Sequence, residues 1–118
     1  GVRLDYDVDS PNPAYNGFWM DLPDLPRPQF RFLSLHLRGD EPRGCTRRVK
    51  LELKGDKDRT AVFILDGIDA QWKRMVIPLA DFGDIDRLRR LRQFIIVFDD
   101  RFATKPVGTL YLDEVTLH

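Results

Sequence analysis

Short apolar-periodic runs alternate with turn clusters along the chain, roughly every 8–16 residues, the spacing of strands in a sandwich or barrel. In the first run Val2, Leu4, Tyr6 and Val8 share one face, and Arg3, Asp5 and Asp7 share the other. A loop with Pro11, Asn12 and Pro13 follows, and the second run spans Tyr15 to Leu22. Pro23, Pro26 and Pro28 then exclude a central strand, because proline has no N–H to give to a ladder. Period two is clearest in the third run, where Leu33, Leu35 and Leu37 alternate with Phe32, Ser34, His36 and Arg38 until Gly39 and Asp40. In the fourth, Val49, Leu51 and Leu53 alternate with Lys50, Glu52 and Lys54. A polar turn around Gly55 leads to the fifth, Thr60 to Leu65. The sixth runs from Trp72 to Leu79, with Met75, Ile77 and Leu79 on one face and Pro78 marking an edge or a strand end.

Helical spacing occurs once, over residues 84–92, where Ile85, Leu88 and Leu91 recur at threes and Asp84 or Asp86 is a candidate cap. The seventh run, Gln93 to Phe98, is apolar on both faces, which predicts a central strand. The eighth, Thr109 to Leu117, keeps period two through Leu110 and Leu112 and then slips to Val115 and Leu117. That slip predicts a β-bulge at Asp113–Glu114. Together these elements predict an all-β, two-sheet antiparallel β-sandwich of about eight strands, with one short helix near 85–92. Jelly-roll connectivity would put strands one, eight, three and six in one sheet and strands two, seven, four and five in the other.

A chain of 118 residues suits one domain spanning 1–118, and its 42% hydrophobic and 32% charged residues describe a folded one. It begins at Gly1 rather than Met and reads as a module excised from a larger protein. Nineteen basic residues balance nineteen acidic ones, so no net charge draws the chain to nucleic acid or an anionic membrane. No apolar run reaches the roughly 18 residues of a membrane span. Neither nucleic acid nor membrane is expected as a partner. The basic run Arg87, Arg89, Arg90 and Arg92 reads as a solvated face beside the short helix. The single cysteine, Cys45, cannot form an internal disulfide.

The strings FLSLHLRGD (Phe32–Asp40), VKLELK (Val49–Lys54), WKRMVIPLADF (Trp72–Phe82) and GTLYLDEVTL (Gly108–Leu117) occur in that order. In this the chain resembles the galactose-binding-like β-jelly-roll carbohydrate-binding modules that accompany bacterial glycoside hydrolases. The resemblance covers nearly the whole chain and marks the fold better than the ligand, because the same fold also serves protein-binding and structural roles. It implies a carbohydrate partner, a covalently linked catalytic or other domain, a monomer, and a secreted or periplasmic setting. It also implies a structural calcium tying the first strand to the last. The matching positions are Asp5 or Asp7, Asp40 and Asp113, and calcium takes six to eight oxygen ligands. Ordinary strand-edge acids are the alternative. The family places a core tryptophan where Trp72 opens its strand.

Sugar recognition needs an aromatic ring to stack on a pyranose and planar polar groups to bond its hydroxyls. The sheet of strands two, four, five and seven offers Trp19 and Asp21, then Lys50 and Glu52, then Asp99 with Arg101 just beyond it. Each has a plainer alternative. Trp19 would be core if the strand phase moved by one residue. Lys50 and Glu52 would be a solvated face, and Asp99, Asp100 and Arg101 an ion-paired turn. Tyr15, Phe102 and Tyr111 could rim a site, whereas His36 belongs to the opposite sheet and reads as structural. Catalysis is not expected. Ser10 and Ser34 lack a nucleophile turn, and the adjacent Asp99 and Asp100 point to opposite faces. Two functions stay open: a non-catalytic module for a poly- or oligosaccharide, or a β-sandwich that packs against a neighbouring domain.

Overall fold

Strands form where the period-two runs lie. The computed structural model describes residues 1–118. Its strands are β1 (Val2–Asp7), β2 (Tyr15–Pro26), β3 (Phe32–Gly39), β4 (Val49–Lys54), β5 (Thr60–Leu65), β6 (Lys73–Pro78), β7 (Arg90–Asp99) and β8 (Val107–Leu117). They pair antiparallel in two four-stranded sheets, ordered β1-β8-β3-β6 and β2-β7-β4-β5. This is the jelly-roll arrangement expected from the sequence. The apolar alternates of the two sheets face each other as one core, with Leu33, Leu35 and Leu37 of β3 and Leu51 and Leu53 of β4 fully buried. Tyr6 of β1 stacks on Phe98 of β7, with ring centroids 4.2 Å apart and planes 7° from parallel, and so joins sheet to sheet.

The apolar β7 is central and the proline-bearing β6 is an edge, as the sequence implied. The bulge in β8 is present too. The β3–β8 register shifts between Ser34 and His36, opposite residues 113–116, and Glu114 takes a φ of 52°.

Three expectations are corrected. First, β2 runs on through Pro23 to Pro26, which it can do because β2 is an edge strand, broken by an irregularity between Asp21 and Leu25. Second, the element near 85–92 is a single 3-10 turn, Ile85–Arg87. Asp84 is left-handed, with φ 67°, and caps nothing, so no α-helix starts there. Leu88 and Leu91 are buried on a turn followed by a strand. Third, Trp72 is not core but 52% exposed, because it lies on the solvent side of the sheet, beside Arg38.

Candidate functional site

Phe94, Ile96 and Phe98 of β7 belong to the core, so strand alternation turns Gln93, Ile95, Val97 and Asp99 outward. Register then defines rows across the outer face of the β2-β7-β4-β5 sheet. One row is Trp19, Ile95, Glu52 and Val62. Its neighbours are Gly17, Val97, Lys50 and Ile64 on one side, and Asp21, Gln93, Lys54 and Thr60 on the other. Tyr15 pairs with Asp99 at the far end. Trp19, Asp21, Lys50, Glu52 and Asp99 therefore share one face, and Arg101 is tied to it through Asp99.

The phase of β2 is set by Phe18, whose ring meets Phe98 edge-on at 5.8 Å inside the sandwich. Trp19 consequently stands out of the core, 69% exposed. It also borders an apolar groove of 270 Å³ between the edge strands β1 and β2, together with Val2, Leu4, Phe18 and Met20. At the centre of the face, Lys50 Nζ lies 3.9 Å from Glu52 Oε1. Their side chains are only 19% and 20% exposed, so this pair is half-sunk between neighbouring aliphatic side chains and not a freely solvated surface.

At one end, Arg101 donates to Asp99 through Nε (3.1 Å), Nη2 (2.7 Å) and its backbone N–H (2.9 Å). The Asp99 side chain is 7% exposed, and the Arg101 guanidinium holds its pKa down at about 2. Asp99 thus spends its carboxylate on positioning Arg101, which remains largely exposed and passes over Phe102 at 5.5 Å.

At the other end, Gln93 Nε2 donates to Asp21 Oδ1 at 3.0 Å on the wall of an open polar pocket of 740 Å³. Lys54, Lys57, Asp58, Asp24 and Arg92 supply the rest of its charged lining. Asp24 accepts from Arg90 Nε and Arg92 Nε at 3.1 and 3.2 Å, and those two guanidiniums lower its pKa. Part of the basic run is thereby spent on one acid. Lys54 and Gln93 follow the parity of residues already singled out from sequence, so period two would have found them. Asp24, Lys57 and Asp58 arrive through left-handed turn residues with φ of 50°, 56° and 56°, which the sequence does not display.

The four acids considered for calcium are not brought to one point. Asp5 accepts from Thr109 Oγ1 at 2.6 Å and from Arg3 at 3.0 Å. Asp40 accepts from the Tyr111 hydroxyl and the Arg43 N–H. Asp7 accepts the Asp9 N–H. Asp113 faces the N-terminal amine, four residues from Thr109 along β8 or roughly 13 Å. No three His, Cys, Asp or Glu side chains cluster so that they could hold a metal ion.

No family model matches the sequence, and no curated protein matches it. Solved structures do. The chain is similar to the family 11 carbohydrate-binding module of the cellulosomal cellulase Lic26A-Cel5E of Clostridium thermocellum, at 16% identity and a TM-score of 0.67, covering 98% of this chain and 72% of that one. It is similar also to a family 11 module from Clostridium thermocellum in complex with a β-1,3-1,4-mixed-linked tetrasaccharide, at 15% identity and a TM-score of 0.65, covering 98% of this chain and 81% of the other. At such identities the likeness concerns the fold: the chain is a β-jelly roll with the architecture of these carbohydrate-binding modules.

Proposed function

We propose that this protein is a non-catalytic carbohydrate-binding module that takes a poly- or oligosaccharide on the outer face of the β2-β7-β4-β5 sheet. One observation carries the reading. The exposed Trp19 lies in a row with the half-sunk Glu52, next to a row in which Asp21, Gln93 and Lys54 wall a polar pocket. An aromatic platform beside planar amide and carboxylate groups is what pyranose recognition requires. The architecture shared with modules of that name, one of them holding a tetrasaccharide, supports it. A polysaccharide ligand favours a secreted or periplasmic monomer carried beside another domain.

The test is affinity electrophoresis of the whole chain in gels holding mixed-linked β-glucan, xyloglucan, xylan or glucomannan. At least one should retard the protein, and Trp19→Ala should weaken that retention by about tenfold or more, as loss of a central aromatic does. Free migration in every gel would overturn the reading. A second reading, packing of the β1–β2 side against a neighbouring domain, is favoured by the exposed Val2 and Met20 along the apolar groove. It predicts that free migration.

A further inference from the structure

The outer face of the other sheet carries a cluster that glycan binding at Trp19 does not use. Trp72 precedes β6 and stands beside Arg38 of β3, whose guanidinium carbon is 5.5 Å from the Trp72 ring centroid. The same carbon lies 4.4 Å from the ring centroid of Tyr111 on β8. Arg38 is thus half-buried between two aromatic rings. Its polar neighbours are committed elsewhere. The Tyr111 hydroxyl donates to Asp40 Oδ1 at 3.3 Å, and Asp40 Oδ2 accepts the Arg43 N–H at 3.0 Å. Asp5 holds Arg3 at 3.0 Å, and Asp69 holds Lys73 at 2.8 Å. The Arg38 guanidinium is left with two π faces and no acceptor from the protein. Arg74, two residues beyond Trp72 and roughly 7 Å along the same face, is exposed and without an ion pair.

Five in-plane N–H donors held over a ring suit a bidentate carboxylate, and stacking leaves that edge free. A neutral sugar would satisfy Trp72 and leave both cations uncompensated. A bare inorganic anion would satisfy the cations and leave the indole in water. A ligand with an apolar ring face and a carboxylate satisfies all three groups. We propose that the Trp72–Arg38–Arg74 face is a second ligand site, selective for a carboxylate-bearing sugar such as a uronic acid residue. Trp72 stacks on the sugar ring, Arg38 engages the carboxylate, and Arg74 supplies the second charge. The site is independent of Trp19, so either can fail alone.

The experiment is affinity electrophoresis of the full chain in polygalacturonate, in neutral mixed-linked β-glucan and in dextran sulfate, with thermal melts confirming that each variant folds. Polygalacturonate should retard the wild type, and added salt should weaken the effect. Trp72→Ala and Arg38→Gln should each lower retention by about tenfold or more, the scale of one central aromatic and of one charge-assisted contact respectively. Should Arg38→Gln fail to fold, Arg74→Gln takes its place, with a smaller loss expected. The proposal is overturned by free migration in polygalacturonate, by equal retardation in dextran sulfate (a polyanion surface without selectivity), or by retention that depends on Trp19 and not on Trp72.

Discussion

Replacing Tyr6 by phenylalanine probes how the loops at one end of the β2-β7-β4-β5 sheet are held together. Tyr6 is 2% exposed, and its hydroxyl accepts the Thr46 N–H at 2.6 Å while donating to the Lys105 carbonyl at 3.0 Å. Lys105 belongs to the loop that carries Arg101, and Thr46 belongs to the β3–β4 connection. Thr46 Oγ1 also accepts the Thr104 N–H at 2.8 Å, so this one network couples the two loops. Phenylalanine keeps the stacking on Phe98 and removes both hydroxyl bonds. The Lys105 bond contributes about 1 kcal/mol, and leaving the buried Thr46 N–H without a partner costs about 1–3 kcal/mol more. A loss of about 2–4 kcal/mol in a domain of this size lowers Tm by roughly 8–16 °C. Burial also pushes the Tyr6 pKa up from 10.0 to about 12. A raised pKa means that its contribution is intact below pH 10 and is lost as the pH climbs towards about 12. Circular-dichroism melts and urea titrations of wild type and Tyr6→Phe measure the difference. A fall in Tm below about 3 °C would refute the view that this hydroxyl anchors the loops.

Asp99 makes the opposite pH prediction. Its folded pKa is lowered to about 2 from 3.8, chiefly by the Arg101 side chain, so its contribution is present above pH 3.8 and disappears as the pH falls through about 2. Because Arg101 is exposed, solvent screening limits the contribution to at most about 1 kcal/mol. The gap in urea midpoint between wild type and Asp99→Asn should be constant above pH 5 and shrink between pH 4 and 2, and a gap undiminished at pH 2 would count against the ion pair. Gly55→Ala should destabilise by about 1–3 kcal/mol, because a Cβ at this buried glycine meets the Arg90 carbonyl oxygen and comes within 2.9 Å of Leu88 Cγ. An unchanged melting curve would show that the turn beside the polar pocket yields freely.

Period two made the strands legible, because burial on one face forces alternation whatever the loops do, and jelly-roll connectivity then sorted them into the two sheets. It was weakest where an edge intervenes. Pro23 and Pro26 look like strand breakers, yet an edge strand does not need every N–H. The threes of Ile85, Leu88 and Leu91 imitate a helix, but each is buried by a different device: Ile85 in a 3-10 turn, Leu88 at its end and Leu91 in β7. For Trp19 the deciding fact is the contact of Phe18 with Phe98, which no local pattern contains. The polar pocket was half legible. Lys54 and Gln93 lie on strands whose parity can be counted, whereas Asp24 enters through a left-handed residue inside an irregular stretch. Trp72 was misplaced because the family resemblance carried over a core tryptophan, and no local pattern separates that from one that stacks on Arg38.

The charge arrangement bears on the proposal that this face binds sugars without cleaving them. A glycosidase needs one carboxyl group kept protonated near neutral pH by burial or by a neighbouring anion, and therefore a raised pKa. The carboxylates with clear shifts here, Asp5, Asp24, Asp56, Asp66, Asp69 and Asp99, are all shifted downward. At the two ends of the face the cause is a bonded arginine: Arg101 on Asp99, and Arg90 with Arg92 on Asp24. Arginine does not give up its proton in the range where the fold survives, so these two acids remain ionised hydrogen-bond acceptors. A fixed acceptor can orient a hydroxyl but has no proton to give a leaving group. Pairing also removes most of the local charge that would otherwise repel or attract ions. What is left is a surface of fixed charge and fixed polarity, on which the proposed binding would draw adhesion from an aromatic ring and orientation from the paired polar groups.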